Sequence, residues 1–269
     1  LGRADLQSFF ASQHEELAKM VNNKLWDEQH HLYNDITREG KFITELQPGV
    51  FCKHIHMFWP LLAEIAPPDR RKFLIDELAN PASFNRASGF ASLSADSQGY
   101  NANNGQYWRG AVWPSAQSMV QEGLKAGDDG GLLQPAAEKY YHACLAAFQA
   151  QKNIQENLAP DKAVGFGATD FVGWGGIGPV ANLIEYILGF DIDAPAQTIT
   201  WNIRRVERHG LQNLVFNGFK VDMICAARPD PSAPCQITVT SAGAFRLKVV
   251  AGTRTKEIEI HAGTETFSL

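Results

Sequence analysis

Tyr107-Trp108-Arg109-Gly110-Ala111-Val112-Trp113-Pro114 closes a long polar connection and opens a helix, and its reading decides the fold. Pro114 suits the first turn of that helix, where its missing N–H has no partner to lose. The residues before it set flat aromatic faces beside a guanidinium fork. That combination fits a sugar ring, which carries an apolar face and a rim of hydroxyls. Further along come Ile154-Gln155-Glu156-Asn157-Leu158-Ala159-Pro160 and then Phe171-Val172-Gly173-Trp174-Gly175-Gly176. In order, the three segments read as one carbohydrate-processing cleft with Glu156 as its catalytic carboxylate.

Working outward, apolar residues recur at helical spacing through the first ~190 residues. Residues 4–26 carry Leu6, Phe9, Phe10, Leu17, Met20, Val21 and Leu25 on such a period. Phe51–Ala66 reads as a second helix, Pro68–Ala79 as a third, and Pro114–Ala126, ended by Gly127, as a fourth. Pro135–Gln151 makes a fifth, and a sixth starts near Gly178-Pro179. Long loops, notably 80–112 and 152–172, join them, and connections of that length usually carry function. After Phe190 the pattern turns to short β-branched or alternating runs: Thr198–Trp201, Leu211–Phe216, Phe219–Ala226, Gln236–Thr240, Phe245–Val250 and Lys256–His261. Asn217-Gly218 between two of them is a strong hairpin signal. The expected fold is mainly α over 1–193, built of helical hairpins, with a small antiparallel β-sandwich-like domain over 194–269.

The 269 residues, 45% hydrophobic, suffice for a well-buried core, and a formal charge of −5 argues against nucleic acid or an anionic membrane as partner. No apolar run approaches the ~18 residues that span a bilayer. Four cysteines are too few for a disulfide framework; Cys52 and Cys144 read as core residues. Cys225 and Cys235 flank a Pro-rich turn from which a disulfide across a hairpin and two free thiols are both open readings. No Cys or His spacing fits zinc. Gly173, Gly175, Gly176 and Gly178 lack the preceding strand and following Lys-Ser/Thr of a phosphate loop. They read as close backbone approach instead.

Leu25-Trp26-Asp27-Glu28 with Tyr33-Asn34-Asp35, then the Tyr107–Pro114 stretch, Gln155-Glu156-Asn157 with Pro160, and Gly173-Trp174 occur in an order that resembles the (α/α)6-barrel glycosidases. The likeness holds especially for glycoside hydrolase family 63 and its trehalase-like relatives, over about residues 25–191. The resemblance implies hydrolysis of α-linked glucosides or related oligosaccharides with inversion. One protonated carboxyl and one carboxylate then stand roughly 6.5–9.5 Å apart, leaving room for a water. Glu156 falls on the family's general-base position, and Arg109 on a position that holds the sugar. Tyr107, Trp108, Trp113, Gln155, Asn157 and Trp174 complete the expected subsite. The family's upstream Asp acid motif is absent, and only about half the helices of a complete barrel are read. With a start at Leu1-Gly2-Arg3-Ala4 and no initiator Met, the chain reads as the C-terminal half of a longer barrel. The N-terminal half would be its partner.

Asp96 and Asp170 are the replacement acids worth testing. Asp128-Asp129 reads as a solvated helix terminus, and Trp26-Asp27-Glu28 with Asp35 as a shaped cleft loop. His54 and His56, two apart on the second expected helix, would face different sides and serve packing. No organic cofactor and no catalytic metal are implied, although Asp-rich loops offer ligands for a structural calcium. Two rival readings stand beside the hydrolase. One is a sugar epimerase or isomerase on the same barrel, which needs a pair of cleft histidines that the sequence does not supply. The other is a non-catalytic carbohydrate-binding or barrel-completing chain.

Overall fold

The computed structural model describes residues 3–43, 52–127, 129–169 and 173–269. The chain divides into two compact units, 1–180 and 181–269. The division falls earlier than the 193/194 boundary read from the sequence, because Ile184 and Leu188 pack against the β-strand core that follows them.

In the first unit, α1 (Ala4–Lys24) is followed by the two-residue pair β1 (Trp26–Asp27) and β2 (Leu32–Tyr33). A 3-10 turn over Ile55–Phe58 leads into the single-turn α2 (Trp59–Leu62) and then α3 (Pro68–Ala79). The expected helix over Phe51–Ala66 is therefore shorter and broken. Pro60 lacks an N–H and sits in the first turn of α2, so the chain is set to start a helix there and not to continue one. Phe51 itself lies outside the described residues. The pair β3 (Asn85–Arg86) and β4 (Gly89–Phe90) precedes α4 (Pro114–Lys125) and α5 (Leu133–Gln151). Pro114 occupies the first turn of α4 as its sequence position implies. The pair β5 (Asn157–Leu158) and β6 (Gly165–Phe166) leads to α6 (Gly173–Ala181). This last helix starts before the expected Gly178-Pro179 and keeps Pro179 inside it. A π-helical stretch, Asn182–Ile187, follows in the chain.

Buried Phe58, Leu61, Leu74, Leu78, Phe84, Trp113, Val120 and Leu124 form the interior around α2, α3 and α4. The buried Gln117 amide locks α4 to β4, accepting from the Phe90 N–H at 3.0 Å and donating to its carbonyl at 2.7 Å. Arg71 donates to the Gly123 and Leu124 carbonyls at 3.0 and 3.1 Å, satisfying groups that the end of α4 leaves open. The apolar residues of α1 behave differently. None of its residues is buried, and Leu6, Phe9, Phe10, Leu17 and Met20 are exposed, Phe10 by 63%.

The second unit carries two four-stranded sheets. One runs β14 (Gly263–Ser268), β11 (Gln236–Ser241), β10 (Phe219–Cys225), β9 (His209–Phe216), antiparallel throughout. The other runs β13 (Arg254–Ile260), β12 (Phe245–Ala251), β8 (Thr198–Asn202), β7 (Phe190–Asp193). Its β8–β12 pair is parallel, so the domain is mixed and not purely antiparallel. Alternate residues point inward: Ile199 and Trp201 from β8, Val221 and Met223 from β10, Ile237 and Val239 from β11, Leu247 and Val249 from β12. Each such side chain contributes about 1.5–3 kcal/mol on full burial. The Trp201 indole also donates to the Leu188 carbonyl at 3.0 Å. At the β9–β10 turn Asn217 and Gly218 have φ of 48° and 86°, the two left-handed residues that a tight hairpin of this twist demands. Cys225 and Cys235 are both buried and both free thiols.

The helical share of the chain is 34%, below what a mainly α reading implies.

Candidate active site

A two-way backbone bridge brings the separate motifs together. The Val112 N–H donates to the Leu158 carbonyl at 2.8 Å, and the Leu158 N–H returns to Val112 at 3.0 Å. Trp113 thereby lies beside the Gln155–Leu158 segment. It is only 2% exposed, and its indole N–H donates to the Tyr107 carbonyl at 3.1 Å. Trp108 stacks on it with ring centroids 4.5 Å apart and planes 8° from parallel. Tyr107 meets it edge-on at 4.8 Å, and Trp174 approaches at 6.3 Å. Trp113 is thus the buried base of a cluster whose outer rings, Trp108, Tyr107 and Trp174, are exposed.

The loop that presents these rings is held from within. The Asn101 side-chain oxygen accepts from the Asn103 and Asn104 N–H groups, and the Asn101 N–H donates to the Arg109 carbonyl at 2.7 Å. The exposed Arg109 guanidinium donates to the Gly99 carbonyl at 2.7 Å and to the Gln106 side chain at 2.8 Å. Part of its donor fork is therefore engaged in shaping the loop. Asp161 clamps the same loop from the other side, accepting from Arg86 at 2.7 Å and from the Tyr100 hydroxyl at 2.8 Å. Burial first, and then the Asp161 bond, push the Tyr100 phenol well above its ordinary range. The sequence offered no motif for this clamp.

Glu156 is half-buried and tied to both neighbours. Its carbonyl accepts the Trp174 indole N–H at 3.3 Å, and its own N–H donates to the Ala168 carbonyl at 3.1 Å. The carboxylate lies against the 167–168 turn, where Oε2 accepts the Ala168 N–H at 3.1 Å. Gln155 and Asn157 flank it, and the Asn157 amide also reaches the Gly167 turn. They line an apolar cavity of about 140 Å³ with Tyr140, Cys144, Phe148 and Pro179, and Glu156 is absent from its lining. Asn157 is buried there in the β5–β6 pair. Among the described residues the buried Tyr140 hydroxyl, in the same wall, has no nitrogen or oxygen partner. Cys144 stands beside it, its thiol pushed up to about 12 by burial.

Several expectations change on this geometry. His54 is not on a helix: it is extended, bridged to Leu93, and precedes the 3-10 turn. The rings of His54 and His56 therefore sit 5.5 Å apart instead of on opposite faces. His54 Nε2 meets Asp35 Oδ2 at 2.9 Å, while His56 packs 5.4 Å from Trp108. Burial, reinforced by His54, lowers the His56 pKa. Asp96 pairs with Lys53 Nζ at 2.6 Å, and Lys53 also holds Glu77. Burial pushes the Asp96 carboxyl up, but the bonds from Lys53 and Ser94 outweigh it and hold it below its ordinary value. That opposes the protonated form a general acid needs. Asp170 and Asp128 lie outside the described residues, whereas Asp129 accepts the Leu133 N–H at 2.8 Å at the start of α5. Asp27 shapes its loop as expected, accepting from the Gln29 N–H, His30 and Asn34. Cys52 is exposed, not core. Among the described residues no group of three or more His, Cys, Asp or Glu side chains is gathered to hold a metal ion.

Comparison with known proteins gives the family. Residues 1–174 match the family described as mannosylglycerate hydrolase MGH1-like glycoside hydrolase domain. An uncharacterized protein of Borreliella burgdorferi is 22% identical over 218 residues, 76% of this chain and 44% of that protein. A mannosylglycerate hydrolase of Rubrobacter radiotolerans is 26% identical over 121 residues, 44% of this chain and 26% of its own length. The chain thus spans less than half the length of these relatives. Among solved structures, the neutral trehalase of Saccharomyces cerevisiae matches 66% of this chain and 30% of its own, with a TM-score of 0.50 and 16% identity. A family 63 mannosylglycerate hydrolase from Thermus thermophilus, in complex with glucose, is 25% identical over 60% of this chain and 36% of its own, with a TM-score of 0.45. With the match extending over residues 1–174, the chain belongs to the MGH1-like family of glycoside hydrolases.

Proposed function

We propose that this chain forms part of the active site of a glycosidase that hydrolyses α-linked glucosides or related oligosaccharides with inversion. Glu156 acts as general base, orienting and deprotonating the attacking water. Trp108, Tyr107 and Trp174 hold the sugar, and Arg109 donates to its hydroxyls with whatever of its fork the loop leaves free. The observation that carries this reading is the Val112–Leu158 bridge, which sets the tryptophan stack beside the Glu156 segment. The fold is about half of an (α/α)6 toroid, and the general acid comes from the remaining half. The exposed apolar stripe of α1 favours this division, because a stripe of that size is normally covered by another helix. The same stripe supports a second reading, in which the chain completes a barrel without catalysing.

The test is turnover on a panel of α-glucosides and α-mannosides, mannosylglycerate included, by the chain alone and with upstream sequence restored. Release of reducing sugar, with no aldose–ketose conversion, is expected. Glu156→Gln should lower it by about 10²–10⁴-fold while sparing binding. Hydrolysis near the unmodified rate in that variant rejects Glu156 as base. Sugar binding without hydrolysis in every form tested establishes the non-catalytic reading.

A further inference from the structure

The aromatic surface does not stop at Trp108. His56 lies 5.4 Å beyond it, and Trp59 lies 4.7 Å beyond His56, edge-on at 62°. Both indoles are partly open to solvent, Trp59 at 43% and Trp108 at 39% exposure, with Trp113 covering one face of Trp108. Local structure explains the geometry. The short 3-10 turn carries His56, and Trp59 opens α2 with Pro60 behind it, so the chain turns within four residues and sets both rings on one side. Their neighbours Met57, Phe58, Pro60 and Leu61 are buried, which leaves Trp59 outside the interior packing.

The two histidines are not equivalent. His54 is engaged with Asp35, and its other ring nitrogen is buried. Among the described residues nothing hydrogen-bonds either ring nitrogen of His56. A neutral imidazole carries one donor and one acceptor, which matches adjacent hydroxyls of a sugar. Flanking indoles supply the apolar faces against which a pyranose packs. We propose that His56 and Trp59 form a second sugar subsite, continuous with the Trp108–Trp113 stack. It takes the neutral pyranose unit adjoining the one at Trp108. This inference rests on the glycosidase reading, to which it adds a preference for substrates of at least two sugar units.

Binding measured by calorimetry on the protein with upstream sequence restored and carrying Glu156→Gln tests it, with D-glucose and D-mannose set against maltose and an α-linked mannobiose. The disaccharide of one series should bind about tenfold more tightly than its monosaccharide. His56→Ala and Trp59→Ala should each erase most of that gain and leave monosaccharide affinity as it was. His56→Gln and Trp59→Phe, which keep a hydrogen-bonding group and a ring, should restore part of it. Thermal melts establish that each variant is folded. Equal losses for mono- and disaccharide, or none, overturn the subsite while the glycosidase reading stands. Absence of binding by any of the four sugars, with Trp108→Ala changing nothing, rejects both.

Discussion

Replacing Gly167 by alanine asks whether the Glu156 carboxylate works where it lies. Gly167 has φ +86°, and a Cβ built there falls 2.5 Å from Glu156 Oε2 and 2.7 Å from the Glu156 Cβ. The left-handed backbone alone costs an alanine about 1–2 kcal/mol. Restoring ordinary contact forces the carboxylate outward by roughly 1 Å, a misplacement worth about 100-fold in rate. The 3.1 Å bond from the Ala168 N–H goes with it, adding about 0.5–1 kcal/mol at this accessible position. Stability therefore falls by roughly 1.5–3 kcal/mol, or about 3–12 °C in melting temperature for a chain of this size. Initial rates of reducing-sugar release across substrate concentrations, paired with circular-dichroism melts, measure both effects. KM should change little, because the Trp108–Trp113 stack is untouched. A variant that melts lower yet turns over within about threefold of the parent refutes the claim that catalysis depends on this carboxylate position.

Three further outcomes follow from the same structure. Burial pushes the Asp27 carboxyl up, but its bonds from His30, Gln29 and Asn34 outweigh this and hold it below its ordinary 3.8. The unfolded chain takes that proton more readily, so Asp27 stabilises the fold above about pH 4 and the contribution is lost as pH falls further. Urea midpoints between pH 3 and 6 should show the loss, and Asp27→Asn should flatten it; an unchanged slope counts against this assignment. Trp201→Phe removes the bond to Leu188 and leaves a void in the β core, costing about 1–3 kcal/mol by urea unfolding of the second unit. In a thiol-reagent titration at pH 8, exposed Cys52 should react first and alone. Burial holds the Cys144 thiol up at about 12 and the Cys225 thiol at about 11, and Cys235 is buried, so all four react together only after unfolding. Two or more fast thiols in the native chain contradict that burial.

Most of the secondary structure was legible because its signals are local. Pro68 and Pro114 start helices by lacking an N–H that the first turn does not use, and Asn217-Gly218 turns a hairpin by tolerating positive φ. Errors arose where a local signal competes with a longer-range one. The apolar run to Ala66 reads as one helix, but Pro60 breaks its hydrogen-bond ladder. The strands β8 and β12 are separated in the chain by three others, so no local pattern reveals that they pair in parallel.

The motif order Tyr107–Pro114, Gln155–Asn157 and Gly173-Trp174 is enough to liken the chain to the family 63 and trehalase-like glycosidases, because side-chain chemistry and chain order are properties of the sequence. The stacking of Trp108 on Trp113, the seat of Glu156 on Gly167 and Ala168, and the approach of His56 to Trp108 are of another kind. Each joins residues whose loops close only when backbone groups far apart in the chain satisfy one another, as Val112 and Leu158 do. Those pairings are chosen by the packed interior as a whole, so only folding brings the Trp113 cluster beside the Glu156 segment.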